Sequence, residues 1–116
     1  MSEVRIVTDS AAELSPQIVE EFDITVVPWR LRLGSETVID DPSFMTTAFH
    51  REMVRKRQVP VALPPTFAQF SQVYEDLAKS TNEIISIHIS SGLSSVTQAA
   101  EKGARGLLGR CQVNVV

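Results

Sequence analysis

The sequence predicts a three-layer α/β fold in which a mainly parallel sheet is flanked by helices. Short β-branched runs alternate along the chain with segments of helical apolar spacing, and parallel strands need crossover connections of this kind. The length of 116 residues fits one compact core and leaves no room for a second domain of ordinary size. We therefore expect residues 1–116 to form a single α/β domain.

The first part of the chain contains the signals of three strands and a short helix. Val4–Val7 is a β-branched run that ends in polar residues, which predicts the first strand. Ser15-Pro16 supplies an N-cap residue and a proline at the first helical position, so a helix should start there. Residues 24–33 predict a second strand that changes direction at Pro28, since proline cannot donate to a ladder. Residues 36–39 have the pattern of a hairpin return.

The middle of the chain predicts two helices joined by a proline-rich connection. Thr46 or Thr47 can cap a helix that runs to about Lys56, with its basic residues on the solvated face. Residues 60–65 form the connection, and Thr66 is the expected N-cap of the next helix. The apolar face of that helix consists of Phe70, Val73, Tyr74 and Leu77.

The last part predicts a strand, a loop, a helix and a final strand. Residues 84–89 are β-rich, residues 90–92 form a loop, and apolar residues from Leu93 to Leu107 follow helical spacing. Gly109 should end the helix, and residues 112–116 indicate another buried strand. Because the chain stops inside this apolar strand, we expect a truncated protein, and an exposed apolar edge of this kind would favour a homodimer.

Composition restricts the partners and the compartment. Eleven Lys and Arg against 14 Asp and Glu give a net charge of -3, the wrong sign for binding nucleic acid. The single cysteine, Cys111, cannot form an internal disulfide and indicates a reducing compartment, by default the cytoplasm. Charged residues interrupt the apolar N-terminus, so we expect neither a signal peptide nor a membrane span. No motif for a metal or cofactor occurs, and we expect neither.

Three hydroxyl-rich segments follow predicted strands, where open α/β sheets bind their ligands. They are residues 8–10, the connection ending at Thr66, and residues 90–95. The last segment contains four serines at a helix N-terminus, where free N–H groups and the helix dipole favour a carboxylate or phosphate. Together with Gly92, which permits close backbone approach, these serines favour ligand binding over simple capping. Thr66 fits a helix cap better, and Asp9 can orient its own loop.

His88 has three alternative roles: general base, ligand donor or hydrogen-bonded core histidine, of which the core role is favoured. Standard catalytic motifs are missing, and we assign no catalytic residue. A hydrolase or transferase that uses a serine of residues 90–95 with His88 as base is a second hypothesis. A third is a fragment without ligand affinity of its own.

Three segments of the sequence resemble the DegV proteins: VTDSAAEL at 7–14, ITVVP at 24–28 and ISIHISSGLS at 85–94. The resemblance implies the N-terminal part of a longer, two-domain α/β protein. Such proteins hold a long-chain fatty acid between their domains, with the carboxylate near hydroxyl groups of the N-terminal domain. Some members are the acyl-binding subunit of bacterial fatty acid kinase and present the carboxylate to a separate kinase subunit.

The resemblance also implies a ligand-binding set. Ser94 matches the serine that contacts the carboxylate, and Ser95 stands where the family usually has glycine. Ala62 stands where the family has a carboxylate-binding threonine, so one hydrogen bond of about 0.5–1.5 kcal/mol is missing. The expected ligand-binding residues are Ser94, Ser95, Ser91, Gly92, Thr66, Ala62 and Ser10.

Overall fold

The computed structural model describes residues 3–33, 36–39, 51, 53–55, 57, 59–88 and 95–116, which form two sheets and several helices. The strands are β1 (Arg5–Asp9), β2 (Thr25–Val27), β3 (Arg30–Leu33), β4 (Glu36–Ile39), β5 (Val61–Leu63), β6 (Glu83–Ile87) and β7 (Gln112–Val115). The α-helices that lie wholly within the described residues are α1 (Pro16–Glu21), α2 (Phe67–Ala78) and α3 (Val96–Ala104).

The main sheet is parallel and has the strand order β2-β1-β6-β7. In its centre Thr8 of β1 lies opposite Ile87 of β6, so both strands end at the same edge. Helices α2 and α3 pack on each other and on this sheet. The predicted fold class, a mainly parallel sheet with flanking helices, is confirmed.

A second, antiparallel sheet has the order β4-β3-β5. The chain leaves the parallel sheet after β2 and enters this sheet at β3, which confirms the change of direction predicted at Pro28. The prediction of residues 60–65 as a mere connection was wrong, because Val61–Leu63 is strand β5 and pairs with β3. The sequence does not predict β5, because only three residues lie between Pro60 and Pro64. Three residues are too few to show the alternation of apolar and polar side chains that is typical of a strand.

The helix starts agree with the sequence signals. Ser15 Oγ accepts from Ile18 N–H at 3.3 Å and so caps α1. Thr66 caps α2 through a reciprocal pair of hydrogen bonds with Gln69, a capping box. Of the helix predicted from Thr46 or Thr47, residues 51 and 53–55 are helical, and the rest lies outside the described residues.

The third helix is shorter than its apolar spacing predicted. The α-helix ends at Ala104, and residues Arg105–Leu107 continue as a 3-10 helix. Gly109 follows with φ at +83°, a left-handed conformation that glycine adopts without steric cost. The predicted role of Gly109 in ending this helical segment is thus confirmed.

Gly103 of α3 lies directly against α2. A methyl group at this position would lie 2.8 Å from Phe70 Cβ and 2.9 Å from the backbone nitrogen of Ser71. Because neither neighbour is the free end of a flexible side chain, we expect Gly103→Ala to lower the free energy of unfolding by about 1–3 kcal/mol in urea denaturation.

Gly106 provides the matched control for this substitution. The atom nearest to a methyl group there is Glu75 Oε1 at 4.0 Å, so Gly106→Ala should change stability by less than about 0.5 kcal/mol. Equal effects of the two substitutions would show that close packing at Gly103 does not limit stability.

Candidate ligand-binding site

The parallel pairing of β1 with β6 brings Asp9 and His88 together at the carboxyl ends of these strands. His88 Nδ1 lies 2.6 Å from Asp9 Oδ2. Both side chains are removed from solvent, with exposed fractions of 0% for His88 and 1% for Asp9. Thr8 Oγ1 also donates to the Ile87 carbonyl at 2.8 Å, which joins the two strand ends a second time.

The Asp9 carboxylate collects three donors. Its Oδ1 accepts from the Trp29 indole Nε1–H at 2.8 Å and from the Ala11 backbone N–H at 2.9 Å, while Oδ2 faces His88. Burial raises the pKa of Asp9, but the hydrogen bonds from His88, Trp29 and Ala11 outweigh burial and leave the pKa below its ordinary value of 3.8. Asp9 is therefore ionised at neutral pH and acts only as an acceptor.

The hydrogen bonds continue from His88 into the core. His88 Nε2 lies 2.5 Å from Ser86 Oγ, and the Tyr74 hydroxyl donates to the same oxygen at 2.7 Å. Ser86 and Tyr74 are both 0% exposed. We call the five side chains Asp9, Trp29, Tyr74, Ser86 and His88 the buried polar cluster. The prediction that His88 is a hydrogen-bonded core histidine is confirmed.

The only tyrosine in the sequence makes the cluster sensitive to high pH. Burial raises the pKa of Tyr74 from 10.0 to about 12, although the Ser86 hydrogen bond lowers it in part. A pKa raised in the folded state contributes stability that is complete below pH 10 and is lost as the pH rises toward 12. We expect the free energy of unfolding to fall by about 2–3 kcal/mol across that range.

Ultraviolet absorbance of the phenolate, which follows Tyr74 alone, and urea denaturation at both ends of the range check this prediction. Tyr74→Phe should lose most of the pH dependence because its ring cannot ionise. A phenolate that forms at the ordinary pKa, with the chain still folded, would contradict the prediction.

The order Asp9, His88, Ser86 matches the order of an acid, a base and a nucleophile, but Ser86 is inaccessible. Its hydroxyl is buried and already accepts from Tyr74, so a substrate carbonyl could not reach it. The second hypothesis required a serine of residues 90–95 beside His88. Ser95, the member of that segment within the described residues, makes no described contact with His88, and the hypothesis gains no support.

Two predicted ligand-binding residues, Ser10 and Ser95, lie at the starts of helical segments. Ser10 begins a 3-10 turn directly after β1, and its hydroxyl accepts from the Trp29 backbone N–H at 2.9 Å. Ser95 holds the N-cap position of α3 but makes no capping hydrogen bond with its side chain. Ser95 is exposed, and its hydroxyl does not fill the capping role considered for this segment.

Two further predicted residues lie elsewhere in the fold. Thr66 is exposed, and its described hydrogen bonds are those of the capping box with Gln69, as its favoured role as a cap predicted. Ala62 is an exposed residue of β5, opposite Leu31 in the second sheet. The described hydrogen bonds of Thr66 do not reach the buried polar cluster. Ser91, Gly92 and Ser94 lie outside the described residues.

A groove of about 700 Å³ lies on another part of the domain. It is lined by Glu101 and Ala104 of α3, by residues 105 and 108–111, and by β7. Ser95 is at the opposite end of α3, and of the expected ligand-binding residues that the structure describes, Ser10, Ala62, Thr66 and Ser95, none lines the groove. Among the described residues, every helix is too short or too polar to span a bilayer.

Sequence reasoning identified Asp9 and His88 but missed Ser86, Tyr74 and the indole of Trp29 as their partners. The sequence contains one signal for Ser86. Residues two apart on a strand point to the same face, and His88 follows Ser86 by two positions at the end of β6. The pairing of Asp9 with Trp29 spans 20 positions and that of Tyr74 with Ser86 spans 12. Neither pairing follows from a local pattern.

The parallel sheet and the polar residues at the ends of its central strands place the protein in the open α/β class, whose members bind ligands at such ends. A family model described as "Uncharacterised protein, DegV family" matches residues 3–116. The chain belongs to the DegV family.

Individual relatives support this assignment. The DegV domain-containing protein YejH of Lactococcus lactis is 34% identical over 113 residues, which cover 97% of this chain and 40% of YejH. A DegV family protein from Thermus thermophilus described as fatty acid binding superposes with a TM-score of 0.85 at 28% identity, over 100% of this chain and 40% of its own. DegV from Bacillus subtilis, described as a fatty acid binding protein, gives 0.84 at 25% identity with the same two coverages. The chain thus spans about two fifths of these relatives.

Proposed function

We propose that this chain is the N-terminal domain of a two-domain DegV protein that binds a long-chain fatty acid through its carboxylate. The observation that carries the proposal is the match of the whole chain to two DegV structures described as fatty acid binding, at 28% and 25% identity. The chain covers 40% of each, so the second domain and its share of the ligand contacts are part of the proposal.

The head-group site in this proposal consists of hydroxyls at the strand ends. Ser10 lies directly after β1, and residues 91, 92 and 94 follow β6 in the sequence. Ser95 at the start of α3 makes no capping hydrogen bond with its side chain, which supports a role beyond capping. Thr66 and Ala62, which lie elsewhere in the fold, also belong to the proposed set, and Ala62 offers no side-chain donor. Each buried methylene contributes about 0.8 kcal/mol, so the acyl chain supplies most of the affinity and the serines mainly orient the carboxylate.

Native mass spectrometry of the protein purified from cells tests this function. We expect a co-purifying long-chain fatty acid, and we expect Ser94→Ala to weaken its binding about tenfold, the loss of one hydrogen bond to a charged group. Ser80→Ala is the matched control, because Ser80 is exposed and its described side-chain hydrogen bond goes to the Leu77 carbonyl at the end of α2. Absence of any fatty acid, together with unchanged acyl binding by Ser94→Ala, would overturn the proposal.

The proposed role is that of a carrier and not of an enzyme, and the compartment is the cytoplasm. Presentation of the bound carboxylate to a fatty acid kinase subunit is part of this proposal. It is tested by adding the loaded protein to such a kinase and measuring acyl phosphate, with the Ser94→Ala variant as comparison. Acyl phosphate formation at equal rates with and without the protein would contradict it.

Binding measured on residues 1–116 alone separates the carrier from a fragment without affinity. Half of the proposed pocket would belong to the second domain, so we expect weaker binding by residues 1–116 than by the longer protein. Sedimentation of the same samples determines whether residues 1–116 form the expected homodimer.

A further inference from the structure

The buried polar cluster connects the ends of three strands through one carboxylate. Asp9 ends β1, Trp29 lies two residues after β2, and His88 directly follows β6. Asp9 binds the side chains of both other residues, at 2.8 Å to Trp29 and 2.6 Å to His88. Because Trp29 also donates its backbone N–H to Ser10, the loop after β1 is held by the same set of contacts.

The donors and acceptors of the cluster determine where the imidazole proton lies. Asp9 is an ionised acceptor, so the proton between Asp9 and His88 resides on Nδ1. Tyr74 donates to Ser86, which leaves the Ser86 proton to be donated to His88 Nε2. The arrangement therefore favours the proton on Nδ1, with Nε2 as the acceptor.

We propose that His88 is a positioning residue for the ligand carboxylate, held as the Nδ1–H tautomer. Its bond to Asp9 fixes the end of β6 against the end of β1. Through Asp9 and Trp29 it thereby sets the place of Ser10. This inference rests on the proposed function.

The two nitrogens of His88 make separable contributions. The Nδ1 bond joins His88 to Asp9 and hence to Trp29 and Ser10, whereas the Nε2 bond joins it only to the core at Ser86. An asparagine amide lies where Nδ1 lies, and a glutamine amide reaches toward Nε2. His88→Asn thus retains the bond that positions the loop, and His88→Gln retains the bond to the core.

The experiment compares His88→Asn, His88→Gln and the parent protein, with His50→Gln as the control at the second histidine. Nitrogen NMR of the imidazoles reports the tautomer, and the indole N–H signal of Trp29, the single tryptophan, reports the Asp9 contact. Fatty acid affinity is measured with oleate on the same samples, and urea denaturation reports their stability.

We expect the Nδ1–H tautomer in the parent protein. His88→Gln should shift the indole signal and weaken oleate binding about tenfold, while His88→Asn should keep both within about twofold. Stability losses of the two variants should be similar, so a merely structural role would affect both affinities equally. An Nε2–H tautomer, or equal affinities of the two variants, would overturn the inference.

Two safeguards keep the test decisive. If either variant fails to fold, two measurements decide the inference: the tautomer of the parent protein and the Trp29 indole signal of Ser86→Ala. Ser86→Ala removes the hydrogen bond between His88 Nε2 and the core and leaves the bond to Asp9 in place. An unchanged indole signal supports the inference, and a shifted signal overturns it. A parent protein that binds no oleate overturns the proposed function, and the tautomer and indole signals of the unliganded protein still decide whether His88 positions the loop.

Discussion

Replacement of Asp9 by alanine is expected to lower the free energy of unfolding by about 3–5 kcal/mol, because each buried donor left without a partner costs about 1–3 kcal/mol. The substitution leaves three donors without their acceptor, on Ala11, Trp29 and His88. Since small domains are stable by about 5–15 kcal/mol, the variant should be close to unfolding at room temperature. Urea denaturation followed by Trp29 fluorescence measures the loss.

Asp76→Ala is the control for this loss. Asp76 is 58% exposed and pairs with Lys79 at 3.7 Å, and pairs of this kind contribute at most about 1 kcal/mol. A loss in Asp9→Ala no larger than that in Asp76→Ala would show that the cluster is not a stabilising unit.

Asp9 also adds an acid dependence with a definite sign. Its pKa is lower in the folded chain than its ordinary value of 3.8, so its contribution is complete above pH 3.8 and is lost as the pH falls through the folded-state pKa. The Asp9→Ala variant should lack this part of the acid sensitivity.

Phe70→Ala should lower the free energy of unfolding by a similar amount, about 3–5 kcal/mol, for a different reason. The Phe70 ring is 0% exposed, lies edge-on to His88 with ring centroids 5.1 Å apart and stacks on Tyr74 at 5.9 Å. Its removal leaves a cavity between α2, α3 and the buried polar cluster. Because Gly103 lies against Phe70 Cβ, the helices are already close and have little room to collapse into the cavity.

The matched control is Phe67→Ala at the start of the same helix. Phe67 is 47% exposed and its ring lies 4.3 Å below the Lys102 ammonium, a contact of about 0.5–1 kcal/mol at an exposed site. Thermal and urea denaturation of both variants give the comparison. Losses of similar size would mean that Phe70 does not hold the core.

Local patterns were sufficient to predict most of the fold. Ser15 and Thr66 marked helix starts correctly, and the spacing of Phe70 and Tyr74 predicted the two residues of α2 that are buried. Both signals depend on residues within one or two helical turns. Strand β5 was missed because its three residues are too few for a period and acquire strand geometry only by pairing with β3.

The candidate site was predictable only in part. Adjacent parallel strands place their carboxyl ends together, which is why the sequence alone points to Asp9 and His88. Tyr74 reaches Ser86 from α2, and Trp29 reaches Asp9 from the start of the second sheet. Such contacts depend on how whole elements pack, and the residues alone do not determine them. The roles of Ser91, Gly92 and Ser94 stay predictions.

Trp29 connects the parallel sheet to the antiparallel sheet, and it is held at two points, by its backbone N–H on Ser10 and its indole on Asp9. Two anchors on one residue fix both the position and the direction of the chain as it passes from β2 into β3. The β3–β4 hairpin can therefore change in length without disturbing the anchor. Variation among relatives in that hairpin would alter what the second sheet touches and leave the angle between the sheets unchanged.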